Sequence, residues 1–175
     1  MRLFIAFDIS KEAEKELLNA QRELKGARFT LAKHFHLTLK FLGDATPQKA
    51  EKVKQALSTI PFKQLNVKLG GVGCFPTEKQ PHVVWMGVEP PDIICSLQKQ
   101  IDNSLSQLFP KEKNFQPHIT LARVKEITDI MQFTQSLSGI KTKRLTFEIT
   151  RFKLVESTLG REEPAYRILA EFPAI

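Results

Sequence analysis

The chain has 175 residues, 42% of them apolar, with 26 Lys and Arg against 19 Asp and Glu for a net charge of +7. That length fits one domain or two small, intimately packed lobes, and the apolar fraction with well-spread charge excludes a disordered chain. The positive balance favours an anionic partner such as RNA, a nucleotide or a membrane surface.

The first strand is expected over residues 3–8, and Asp8 ends its apolar run too early for a signal-peptide core. Ser10 is a helix N-cap, Glu12 and Glu14 suit the first turn, and the helix runs to about Lys25 before Gly26. Residues 28–31 form a short strand. Residues 35–42 alternate, with His34, His36, Thr38 and Lys40 on one side and Phe35, Leu37, Leu39 and Phe41 on the other. Thr46 caps a second helix with Pro47 at its first position, to about Thr59. Residues 65–75 form a strand whose Gly70, Gly71 and Gly73 signal a bulge or a close backbone approach. The order then restarts: a strand over 82–88, a helix over 91–108, a strand over 118–124, a helix capped by Thr128 and ended by Gly139, and a long strand over 144–155. A turn around Gly160 leads to a last strand over 166–172. Nothing approaches the ~18 apolar residues of a membrane span. Cys74 and Cys95 form no C-x-x-C pair or disulfide framework and read as thiols of a reducing cytoplasm.

Both halves, about 1–77 and 78–175, therefore run strand, helix, His-x-Thr strand, helix, long strand. Leu3 against Val83, His36 against His118 and Leu65 against Leu145 give offsets of 80, 82 and 80 positions. The expected fold is α+β and bilobal: two pseudo-symmetric antiparallel-sheet lobes, helices outside, and a central cleft within one two-lobed domain.

The repeated element is His36-Leu37-Thr38-Leu39 and His118-Ile119-Thr120-Leu121. In a strand the His and Thr share one face. A histidine gives or takes a proton near neutral pH. Cleaving a phosphodiester needs a deprotonated nucleophile and a protonated leaving oxygen, which one histidine on each side of the phosphorus supplies. The threonine hydroxyls can donate to non-bridging oxygens. One such strand would read as ordinary β structure; recurrence at matching places in two halves points to a site. Spacing alone does not decide which histidine is acid and which is base.

A metal alternative rests on His34-x-His36 with His82 or His118 as a third ligand, but no Cys cluster or helical His-x-x-x-His supports it. Gly70-Gly71-x-Gly73 lacks the Lys-Ser/Thr of a phosphate-binding loop. Lys33, Lys40, Arg123, Lys125, Arg151 and Lys153, interleaved with Phe35, Phe41, Phe75 and Phe152, form a candidate basic and aromatic rim for a nucleotide. Arg123 is out of register with the His–Thr face unless a bulge redirects it.

At residues 36–44 (HLTLKFLGD) and 115–123 (FQPHITLAR) the chain resembles the two-histidine phosphoesterases, and within them the LigT-like RNA 2′,3′-cyclic phosphodiesterases, also called 2′-5′ RNA ligases. The resemblance spans nearly the whole chain. It implies hydrolysis of a terminal RNA 2′,3′-cyclic phosphate to a 2′-phosphate, with no metal or other cofactor. It implies His36 as proton donor, His118 as proton acceptor, Thr38 and Thr120 holding the phosphate, and Arg123 contacting phosphate or base. The expected partners are RNA ends or nucleotides bearing a cyclic phosphate. The expected form is a cytoplasmic monomer, off the membrane and with no obligate protein partner. Two alternatives stand beside this: a 2′-5′ RNA ligase joining tRNA halves, and an RNA-binding module without turnover.

Overall fold

The computed structural model describes residues 1–160 and 164–175, so the turn expected around Gly160 lies partly outside the described residues. These residues form nine strands and four helices: β1 (Arg2–Asp8), α1 (Lys11–Glu23), β2 (Ala27–Leu31), β3 (His36–Asp44), α2 (Pro47–Ser58), β4 (Leu65–Pro76), β5 (Pro81–Glu89), α3 (Pro91–Ser104), β6 (His118–Ile127), α4 (Ile130–Gly139), β7 (Thr146–Ile149), β8 (Arg151–Leu159) and β9 (Pro164–Pro173). None of the helices is long and apolar enough to cross a membrane.

Local sequence explains most boundaries. Ser10 Oγ accepts the Ala13 N–H and Thr46 Oγ1 accepts the Lys49 N–H, so both expected caps form. At α4 the cap is Asp129, which accepts from Gln132, and not Thr128, whose N–H donates to the carbonyl of Gly26. Aspartate ranks above threonine as an N-cap. Helix α1 ends at Glu23, ahead of Lys25, with the Leu24 N–H turned to Gln21, and α3 ends at Ser104 in a turn that runs on through residues 105–109.

The strand order is β7-β4-β5-β6-β3-β1-β8-β9, all neighbours antiparallel, with β2 added on β6. The two His-x-Thr strands meet at the centre, joined among the described residues by one register pair, Leu37 opposite Ile119. The wings on either side exchange strands. β4 belongs to the first half of the chain but pairs with β5 and β7, while β8 from the second half pairs with β1. This exchange corrects the single strand expected over residues 144–155. The run breaks at Thr150 because β7 pairs with β4 in one wing and β8 with β1 in the other, and no straight strand could serve both.

The helices cover one face. Leu3, Ile5 and Phe7 of β1, Leu37 of β3 and Ile119 of β6 point into a core shared with Leu17, Val53, Ile101 and Phe133 of the helices. Each such side chain contributes roughly 1.5–3 kcal/mol by leaving water. Phe4, Ala6 and Val155 form a separate small cluster on the opposite face, which is the open one.

Each His-x-Thr strand carries a bulge just past its threonine. Ile5 pairs with Lys40 and Ala6 with Thr38, leaving Leu39 extra; Val84 pairs with Ala122 and Trp85 with Thr120, leaving Leu121 extra. Two successive side chains then share the core side, Leu39 with Lys40 and Leu121 with Ala122, all buried. Alternation inverts beyond that point. Lys40 therefore leaves the histidine face, contrary to strict alternation, and is only 4% exposed, while Phe41 swings to the open face, where it is 71% exposed. The Lys40 ammonium donates to Asp102 Oδ1 at 2.5 Å and to the Pro110 carbonyl at 2.8 Å, and Asp102 Oδ2 accepts the Glu112 N–H at 2.8 Å. In β6 the same inversion carries Arg123 to the open face.

Candidate active site

The open sheet face holds a cleft of about 600 Å³ lined by His36, Thr38, His118, Thr120 and Arg123 together. The antiparallel pairing at Leu37 and Ile119 sets His36 on the side of Thr120 and Thr38 on the side of His118. Each imidazole thus lies next to the other strand's hydroxyl.

The two rings are held differently. His118 Nδ1 lies 2.8 Å from the carbonyl of Gln116. A carbonyl only accepts, so Nδ1 carries the proton and the neutral ring keeps its lone pair on Nε2. Phe75 meets the His118 ring edge-on at 4.9 Å, and Trp85 lies at 6.4 Å. His36 is packed between Phe4 at 5.1 Å and Tyr166 at 5.7 Å, with Asp8 opposite it in the register. Asp8 is in turn ion-paired with Lys153. Burial pulls the His36 pKa down to about 4, with Asp8 acting upward and His34 and His118 downward. Burial also lowers the His118 pKa, opposed by the bond to Gln116. Both rings are neutral at pH 7 before a ligand enters.

Of the expected basic rim, Lys33 and Arg123 line the cleft. Arg151 is paired with Glu171, Lys153 with Asp8 and Glu171, and Lys40 with Asp102 in the core. Lys125 is exposed outside the cleft lining. Of the four phenylalanines, Phe35 and Phe152 are core, Phe41 lines the cleft, and Phe75 backs His118. His34 lines the cleft and His82 does not. Among the described residues no group of three or more His, Cys, Asp or Glu side chains is arranged to hold a metal ion. Sequence reasoning passes over Phe4, Trp85 and Leu159. Phe4 and Trp85 are readable in principle, since each sits at an alternating position of its strand; Leu159 reaches the cleft only through the path of β8.

Paired hydroxyls and imidazoles on two equivalent strands, with a guanidinium beside them, have the chemistry to bind a phosphate and move protons around it. The chain belongs to the LigT-like phosphoesterases, whose family model matches it twice, over residues 7–85 and 88–166. Relatives named RNA 2′,3′-cyclic phosphodiesterase include those of Thermotoga maritima (33% identical, over 98% of this chain and 94% of that one) and Methanocaldococcus jannaschii (32%, over 98% and 100%). Among solved structures, TT0787 of Thermus thermophilus superposes with a TM-score of 0.82 at 27% identity, covering 99% of this chain and 97% of that one. Escherichia coli LigT complexed with 3′-AMP shares the fold, with a TM-score of 0.78 at 22% identity over 99% and 97%.

Proposed function

We propose that the chain hydrolyses a terminal RNA 2′,3′-cyclic phosphate to a 2′-phosphate, without a metal, with His118 as base and His36 as acid. The observation that carries this reading is the fixed tautomer of His118. With Nδ1–H held by the Gln116 carbonyl, Nε2 is a proton acceptor in the same cleft as His36. The relatives named RNA 2′,3′-cyclic phosphodiesterase, about one-third identical over almost the full chain, supply the substrate class.

In this mechanism His118 Nε2 takes a proton from water as the water oxygen bonds to phosphorus. The phosphorus–3′-oxygen bond breaks, and His36 gives its proton to that oxygen. The free His36 ring is mostly neutral at pH 7, so the bound phosphodiester anion and Asp8 must draw the proton on before it can be given. Thr38 and Thr120 donate to non-bridging oxygens as charge builds on them, and Arg123 binds the phosphate or base of the substrate. The whole chain acts as one two-lobed domain, each sequence half supplying one histidine.

The test is incubation of RNA ending in a 2′,3′-cyclic phosphate with the protein in EDTA. Opening to the 2′-phosphate is expected, with a loss of roughly 10²-fold or more in His36→Ala and in His118→Ala. Full activity in either variant, or dependence on added metal, would refute the mechanism.

A further inference from the structure

A second groove, of about 640 Å³, opens on the same sheet face beyond His118. The register places it there. Gly87 lies opposite His118, Trp85 opposite Thr120, and Gly73 opposite Trp85, so all three share the face of the histidine. The floor is largely backbone. A Cβ at Gly73 would stand 2.5 Å from Trp85 Cζ2, so the indole rests directly on the strand. Phe75 backs the ring at 5.0 Å. The indole Nε1 is buried with no acceptor among the described residues, so packing alone fixes the ring. Pro117, which lines the groove, directly precedes His118, which lines the catalytic cleft, and Lys68, paired with Glu89 at 3.6 Å, stands in the groove lining.

We propose that this groove is a second nucleoside subsite, which takes the base of a nucleoside other than the one that bears the reacting phosphate and stacks it along Trp85. The proposal rests on the reading of the main cleft as an RNA cyclic-phosphodiesterase site. The groove lies on the His118 side of that cleft, away from His36 and the departing 3′-oxygen. A flat aromatic ring, proline walls and a side-chain-free floor suit a base of any identity, because every base has a π-face. The volume is within the range of small-ligand sites, and the chain's positive charge suits a polyanion. The same chemistry could come from the penultimate nucleotide of the substrate strand or from a 5′-hydroxyl nucleoside of a second strand.

Trp85 is the single tryptophan of the chain and lines the groove, so quenching that appears with the second nucleoside and not with the mononucleotide alone reports on the groove. Gly71 supplies the blocking variant: it lines the groove, and a Cβ there meets nothing within 4 Å, so the backbone accepts a side chain and Gly71→Val adds bulk at the groove. The full-length protein is compared on adenosine 2′,3′-cyclic phosphate, on the diadenosine dinucleotide ending in the cyclic phosphate, and on the mononucleotide with added adenosine. The dinucleotide is expected to exceed the mononucleotide in kcat/KM by about 5-fold or more and to quench Trp85. In Gly71→Val both effects should disappear while mononucleotide turnover stays unchanged. A gain confined to the dinucleotide assigns the groove to the same strand; quenching by adenosine with formation of a joined product assigns it to a second strand. Equal turnover of both substrates with no quenching by any second nucleoside overturns the subsite, as does a gain that survives in Gly71→Val. Failure to open any cyclic phosphate would instead overturn the reading of the main cleft, while the quenching measurement, which needs no turnover, still decides the groove.

Discussion

The side-chain amide of Gln21 donates to the carbonyl of Leu121 at 2.7 Å, tying helix α1 to the bulged residue of β6. The same nitrogen donates to the Ala32 carbonyl at 2.8 Å, and the Ala32 N–H donates to Leu121 at 2.9 Å. A buried amide thus holds the bulge that turns Arg123 toward the cleft. Gln21→Leu is expected to lose about 1–3 kcal/mol, because it leaves a partly buried carbonyl without its donor. It should also raise KM more than it lowers kcat, since Arg123 meets the ligand while the histidines stay in place. Urea unfolding and steady-state kinetics on the cyclic substrate check both; wild-type KM in a destabilised variant would separate Arg123 from the bulge.

The equivalent bulge of β3 is held by charge. Lys40 and Asp102 are both almost fully buried and satisfy each other at 2.5 Å. Removing one partner strands the other. Asp102→Ala is expected to cost about 3–5 kcal/mol, while Lys40→Met combined with Asp102→Leu should recover most of that loss. A double-mutant cycle in urea gives the coupling, and additive losses would show that the pair does not act as a unit.

These two devices mark the limit of what the sequence could convey. The period-2 pattern of residues 36–39 and 118–121 is correct because the ladder is regular there. Strict alternation puts Lys40 and Phe41 on the wrong faces because a bulge leaves no local signature in Leu-Lys-Phe; it is set by the partner strand β1 and by Asp102, sixty-two residues away. Arg123 shows the same effect with the opposite sign, out of register by simple alternation yet on the cleft. Residues 144–155 read as one strand because both pieces are strand-like, and only the exchange between wings requires the break at Thr150. The offset of about 80 residues between like elements is legible in the sequence, whereas the strand exchange is not, since pairing partners are a property of the assembled sheet.

Burial of the two histidines sets a pH dependence of stability. His36 titrates at about 4 in the folded chain against 6.5 when exposed. Between those values the unfolded chain binds a proton that the folded chain does not, so stability falls as pH drops from about 6.5 to about 4 and this contribution levels off below. The slope from one such group is at most about 1.4 kcal/mol per pH unit. Urea midpoints at pH 7 and pH 5 should differ less in His36→Gln than in the wild type. An inorganic phosphate ligand should move the His36 titration upward when followed by NMR, and a downward shift would contradict its role as proton donor.

Two glycines with positive φ separate strain from collision. Gly26 at +79° and Gly43 at +69° both sit in the left-handed region, where a side chain costs roughly 1–2 kcal/mol. At Gly43 a Cβ meets nothing within 4 Å, so Gly43→Ala should lose only that amount. At Gly26 a Cβ would stand 2.4 Å from both the Asp129 carbonyl oxygen and the Phe133 nitrogen, which are backbone atoms of the first turn of α4. The Gly26 carbonyl also accepts the N–H groups of Thr128 and Asp129, at 2.9 and 3.0 Å. Helix α4 is therefore seated on this residue, at the point where β2 begins its pairing with β6. Gly26→Ala must push the helix away, lose these bonds and disturb the strand that runs beside Arg123. Its loss of stability should exceed that of Gly43→Ala by at least about 1–3 kcal/mol. Equal melting temperatures for the two variants would show that the seat of α4 yields to a methyl group.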